Sequence, residues 1–260
     1  MKKIRLYLAA VLASALLMLV PASSPAAPAG AGLTAAYNQA GALYRAGQFP
    51  EALDRYEQLL KSGIRNPDLF YNAANAAYRV NNIGKALLYL ERARKLAPSD
   101  PDILGNLAYV NSRKTDKEPV ESNAVSAFIS RRYEAINANS AALWSGLAFL
   151  FMMLLAVGGI YFSSWKGVAF LGMTAGCALV FLLSTGVLIH KAHRSATVVE
   201  AVVMGPEVNA FSGPGPENTH IFTLHEGTLV ILERRQDAWA LIRLKSGIAG
   251  WVSTGSLEAI

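Results

Sequence analysis

Few side chains in this sequence could do covalent or metal chemistry. Its four histidines fall into two pairs, His190-x-x-His193 and His220 with His225, and its one cysteine is Cys177. A metal site would need further ligands and an ordered second shell. The first histidine pair directly follows an apolar segment, where such residues meet lipid headgroups. Cys177 sits between Gly176 and Ala178, where burial disfavours a thiolate, and a single cysteine forms no intrachain disulfide. G-x-S-x-G, phosphate-loop and H-E-x-x-H motifs are all missing. The expectation is no catalytic residue, no metal and no cofactor, hence no enzyme. Recognition chemistry is plentiful instead, at Tyr37, Asn38, Tyr44, Arg45, Tyr71, Asn72, Asn75, Tyr78, Arg79, Asn106, Tyr109 and Arg113. Asparagine amides can each donate to and accept from an extended peptide backbone. Tyrosines give rigid contact area with a polar tip, and arginines can hold a carboxylate through two bonds.

These residues recur at a fixed interval. Tyr37-Asn38 returns 34 positions later as Tyr71-Asn72, and Asn106 appears after the same step. Ala40, Ala74 and Ala108 share the period, as do Arg45, Arg79 and Arg113; Tyr44 pairs with Tyr78, and Ala52 with Ala86. The pattern resembles the tetratricopeptide repeat (TPR), with repeats at 33–66 and 67–100 and a partial copy at 101–114. The apolar periodicity predicts helices at about 33–46, 50–62, 67–80, 84–96 and 101–114. Small residues at Ala40, Ala52, Ala74 and Ala86 let paired helices approach, and Leu53, Tyr56, Leu59, Leu60, Leu87 and Leu90 fill the layer between them. Asn81 stands where the first copy has its turn glycine, Gly47. If the first helices of the pairs line one face, the twelve residues above form a peptide-binding groove or its margins. Tyr44 and Asn38 also have a plain packing reading. Two and a half repeats fall below the three usually needed for stability, so the array must lean on the segment after it or on a partner.

The remaining composition locates the protein. Hydrophobic residues make up 53% of the chain and charged residues 16%, against about 25% charged in a typical soluble domain. The net charge of +6 is too small and too scattered for a nucleic-acid footprint. Residues 1–29 read as a secretory signal peptide: Lys2, Lys3 and Arg5, then an apolar run Leu6–Val20, then small residues with cleavage after Ala26 or Ala29. An uncleaved anchor is the alternative; in both cases the chain from residue 30 onward is exported.

Residues 115–140 read as a linker and then a juxtamembrane helix. Its Val125, Phe128, Ile129 and Ile136 share roughly one helical face. That face suits a membrane surface or docking on the last repeat helix, and a plain helical extension fits equally. Residues 141–162 and 168–189 carry no charge, and each is long enough to cross a bilayer of about 30 Å. The short turn between them makes a membrane hairpin, with Trp144, Tyr161 and Trp165 at its ends. Gly172-Met-Thr-Ala-Gly176 is a small-residue face able to pack on Gly158 and Gly159 or on another protein's helix, with packing inside the hairpin the expectation. An export signal puts both flanking domains on the periplasmic side, against the positive-inside tendency of Arg131, Arg132, Lys191 and Arg194.

From residue 196 to 260 the texture changes to short alternating runs broken by Gly, Pro, Asn and Asp. Strands are predicted at 197–203, 228–232, 238–244 and 249–252. Val208-Asn-Ala-Phe-Ser-Gly-Pro214, Leu224-His-Glu-Gly-Thr228, Trp239 and Gly250-Trp-Val252 resemble bacterial SH3-like domains, with Phe211 where an arginine is usual. The resemblance implies binding of proteins or cell-wall peptides. Trp239 and Trp251 fit either a groove lining or ordinary packing.

The fold class expected is therefore multidomain: all-α tetratricopeptide repeats, two transmembrane helices and a small all-β SH3-like barrel. This order of segments resembles the BatE family of the Bacteroides aerotolerance (Bat) group. The resemblance implies a non-enzymatic inner-membrane scaffold in envelope stress tolerance, with von Willebrand-type Bat proteins and, indirectly, a MoxR-type ATPase as partners. The alternative is a peptidoglycan-peptide sensor acting through the SH3-like domain.

Overall fold

The computed structural model describes residues 30–117, 123–161 and 167–260. The expected signal segment, the linker end at 118–122 and the turn 162–166 (with Trp165) lie outside them, as does the Tyr161 side chain. Among the described residues two compact units form, one of 138–194 and one combining 30–137 with 195–260.

Five helices open the second unit: α1 Gly30–Arg45, α2 Phe49–Lys61, α3 Pro67–Arg79, α4 Ile83–Leu96 and α5 Pro101–Arg113. Their starts are set locally. Asn66 accepts from the backbone N–H groups of Asp68 and Leu69, and Asp100 does the same for Asp102 and Ile103, each with a proline next to it at the first helical position. Gly47 and Asn81 both take the left-handed conformation, at φ 80° and 60°. Asparagine is one of the few side chains that tolerates it, so the second repeat keeps its turn without glycine. Ala40, Ala52, Ala74 and Ala86 are all buried at the helix crossings, as the stacking argument requires. Ala108, on the same period, is exposed, and Leu104 is 42% exposed where its equivalent Phe70 is buried. Among the described residues no second helix directly follows the first helix of the third copy to cover them.

The C-terminal part is one antiparallel sheet of seven strands, in the order β3-β2-β6-β5-β4-β1-β7. They are β1 Val199–Val203, β2 Glu207–Phe211, β3 His220–His225, β4 Leu229–Gln236, β5 Trp239–Arg243, β6 Ala249–Ser253 and β7 Leu257–Ala259. Strands β3 and β7 go beyond the four runs and the Val208–Pro214 motif read from the sequence. Thr197, expected to open the first strand, belongs to the preceding helix instead. Ala201, Val203, Val208, Ala210, Leu224, Val230, Ala240, Ile242 and Val252 form the sheet's own core.

The helices and the sheet share a second core. Val202 points the other way from Ala201 and Val203, as alternation in a strand dictates, and joins the buried cluster of the repeats. Met204, Leu229 and Ile260 pack on the same cluster. Gly84 sits so close to β1 that a Cβ there would lie 3.3 Å from the Val203 carbonyl oxygen. Polar bonds border this core: the Gly84 N–H donates to Glu226 at 3.3 Å, and Arg92 donates to the Ala259 carbonyl at 2.6 Å and to Glu258 at 3.1 Å. The short array therefore leans on the sheet, through α4.

Helix α6, Ala124–Ala135, touches this unit near its C-terminal end: Ser99 donates to the Ala135 carbonyl at 2.9 Å, and Arg94 lies 3.7 Å from Glu134. Its apolar face is exposed, so the docking of that face on the last repeat helix is not what forms.

The other unit is built on α7, Ala138–Tyr161, and α8, Val168–Thr197, both long and apolar enough to cross a membrane. They pair antiparallel, with Ser145 and Thr185 hydroxyls 2.7 Å apart and the Phe149 and Phe181 rings 5.8 Å apart. The expected glycine packing is not used. An added Cβ at Gly172 or Gly176 would meet nothing within 4 Å, whereas Gly159 lies against the Phe170 ring. The Phe170 ring of α8 fills the space at Gly159, so the two glycine faces do not meet.

Candidate protein-binding site

The twelve recognition residues fall on α1, α3 and α5, and the structure links these first helices by side-chain bonds. Tyr37 on α1 accepts from the Asn72 amide on α3 at 2.6 Å. Asn106 on α5 donates to Asn75 on α3 at 2.7 Å. Tyr78 on α3 donates to the Tyr109 hydroxyl on α5 at 3.2 Å, and Arg113 donates to the same oxygen at 3.2 Å. The bonded residues are 31 or 35 positions apart, one off or about one helical turn short of the 34-residue period, so each bond joins staggered rather than matching places on neighbouring first helices.

The ladder spends only part of its bonding capacity. Asn72 and Asn106 each use one of two amide hydrogens, and Asn75 uses its oxygen, keeping its NH2. The Tyr109 oxygen accepts twice, which leaves its own proton to donate outward. The bonds it accepts from Tyr78 and Arg113, with the nearby Arg113 charge, lower the Tyr109 pKa. Tyr78 is shifted up, first because its proton is held by Tyr109. Tyr109 is thus the better ligand donor of the two, and it is 49% exposed.

At the other end an aromatic group closes the face. The Arg79 guanidinium lies 3.9 Å from the centre of the Phe49 ring, and Tyr44 meets that ring edge-on at 5.2 Å. Tyr37 packs on buried Tyr56, whose phenol is pushed up to about 12, mainly by burial and then by Tyr37. Asn38 and Arg45 are exposed, and Tyr71 is half-buried. Phe49 and Tyr56 lie on α2, in turn and core positions of the repeat, so the periodicity of the first helices gave no reason to assign them to this face.

Residues 37–101 and 71–114 match the family model described as tetratricopeptide repeat. The helical region is an array of tetratricopeptide repeats. No curated protein matches the chain as a relative. The repeats mark the chain as a protein–protein interaction scaffold.

The histidines take separate places. His220 lies 3.0 Å from the Thr223 hydroxyl and edge-on to Phe211, which also meets Trp239 at 5.8 Å. His225 is drawn into a junction that the sequence did not suggest. Asp116, just after α5, accepts from the His225 N–H at 2.8 Å and from Thr228 at 2.6 Å, and its other oxygen lies 2.8 Å from the His225 ring. Burial alone would raise the Asp116 pKa. The bonds from Thr228 and His225 outweigh it, and the net shift is downward. Thr228 is 4% exposed, so this junction ties the end of the array to the β3–β4 turn.

Proposed function

We propose that this chain is a non-enzymatic membrane-anchored adaptor that grips an extended segment of a partner protein on the face formed by α1, α3 and α5. The observation that carries this reading is the half-spent ladder of Asn72, Asn75, Asn106 and Tyr109. Donors and acceptors held in place by neighbours are pre-organised for a peptide backbone, so little ordering cost remains at binding. Arg45, Arg79 and Arg113 add positive charge along the same face and suit a partner segment with acidic residues.

The anchor is the α7–α8 pair, with a secretory signal at 1–29 supporting export of the repeats. Because the repeats and the sheet share a core, both flanks of the pair occupy one side of the membrane, which requires an even number of crossings. That side is the periplasm of a bacterial inner membrane. The order of segments supports a scaffold of the Bat type, with a von Willebrand-type Bat protein as the gripped partner and a MoxR-type ATPase acting indirectly. The β sheet, read as SH3-like, supplies a second contact through the Phe211–His220–Trp239 aromatic group, which also suits a cell-wall peptide.

The test is photo-crosslinking in cells from probes placed at Asn38 and Arg45, compared with exposed Asp54 on α2. A shared protein adduct from the first two positions, absent at Asp54 and reduced in the Asn72→Ala/Arg79→Ala double variant, is the expected result. Equal adducts at all three positions, or yields untouched by the double variant, would remove this face from the function.

A further inference from the structure

Helix α6 presents an apolar face with no neighbour to match it among the described residues. Val125 is 66% exposed, Phe128 55% and Ile129 61%, with Ile136 continuing the line just past the helix end. A soluble helix of twelve residues would turn these side chains inward. Here the opposite side of the helix approaches the repeats near its C-terminus, at Ser99 and Arg94.

We infer that α6 is a membrane-surface helix whose Val125–Ile129 face enters the lipid interface. The inference rests on the proposed anchor and adds the surface by which the binding unit meets the bilayer. Two observations select lipid over a protein partner. The first is covalent: Asn137 alone separates Ile136 from Ala138, where the first apolar helix begins, so the chain holds Ile136 within about 7 Å of that start. The tether puts the C-terminal end of α6 at headgroup depth, which leaves the apolar face within reach of the bilayer surface. The second is charge. Glu134, the one acidic residue of α6, faces Arg94 at 3.7 Å, on the side turned to the repeats. The Arg132 guanidinium lies 5.3 Å from the Phe128 ring centre, on the apolar side, where an arginine can lay its stem along lipid and its head among phosphates. An apolar face with an arginine beside it and the acid on the far side of the helix suits a place at the lipid interface.

The experiment uses the full chain in nanodiscs of phosphatidylethanolamine and phosphatidylglycerol, in a Cys177→Ala background. Nitroxide labels are attached through Phe128→Cys, Ile129→Cys, Asp54→Cys and Leu183→Cys in turn, and relaxation by oxygen is compared with relaxation by a water-soluble nickel chelate. The labels on α6 are expected to favour oxygen, at a depth of about 5–10 Å below the headgroup boundary. Asp54 should favour the chelate and Leu183 oxygen. If Leu183 favours oxygen while both α6 labels match Asp54, the surface helix is refuted and the anchor stands. If the α6 labels are shielded from both agents, a protein covers the face and the lipid assignment is likewise refuted. If Leu183 itself favours the chelate, the anchor and the surface helix fall together.

Discussion

Gly227 offers a direct measure of how firmly the repeats and the sheet are joined. It adopts φ +82°, and a Cβ there would lie 2.6 Å from the Leu87 Cδ1 and 3.4 Å from the Ile83 Cγ2. Leu87 is fully buried, so its methyl cannot swing aside and the β3–β4 turn must retreat from α4. Gly247 is the control. Its φ is +90°, but an added Cβ would meet nothing within 4 Å. Gly247→Ala then costs only the left-handed strain, about 1–2 kcal/mol. Gly227→Ala costs the same strain plus an overpacking penalty of about 1–3 kcal/mol. The difference should lower the melting temperature by an additional 2–12 °C or so. Amide exchange in residues 83–88 of α4 should rise roughly 5- to 150-fold, because the opening there loses that free energy. The assay is thermal unfolding with hydrogen exchange on the full chain in detergent. If both variants melt together, or if α4 exchange is the same in both, the two halves do not share a core and the one-side argument fails with it.

Asp116 gives the junction a dependence on acid. A carboxylate whose folded pKa is depressed contributes stability that is present above its unfolded pKa and is lost as pH falls through the lowered folded value. Asp116→Asn should therefore lower the denaturation midpoint at pH 6 by an amount equivalent to about 1.5–3 kcal/mol. The gap between variant and wild type should shrink below about pH 4; a constant gap across the titration would contradict the assignment. On the binding face, Tyr37→Phe removes the acceptor of the Asn72 amide and should cost about 0.5–1.5 kcal/mol in stability. Asn38→Ala should stay within about 0.5 kcal/mol in the same denaturation series, since Asn38 is exposed.

The repeat array was legible because its information is local and periodic. Apolar spacing and small residues gave five helices to within a few residues at each end, and Asn66-Pro67 and Asp100-Pro101 announce their own caps. The four stronger strands were legible for the same reason. Strand β3 was not, because His220-Ile-Phe-Thr-Leu-His225 interrupts alternation with two adjacent large apolar residues, and β7 is only three residues long. The sequence showed that the array needs support, but not that the sheet supplies it or through which residues. Val202 looks like any strand residue until α4 is placed on it, and Asp116 lies in a charged stretch that reads as solvated linker. The ladder was half legible: its residues were named from the period, but their mutual bonds depend on helix spacing that no single repeat encodes.

The shared core also sets a schedule for synthesis. Gly84 and Glu226 are 142 residues apart in the chain, and both apolar helices are made between them. At ribosomal speeds of about 5–20 residues per second, the flank of α4 stays bare for roughly 7–30 s before the sheet arrives. During that interval the nascent protein carries an unfinished solenoid with an open hydrophobic side.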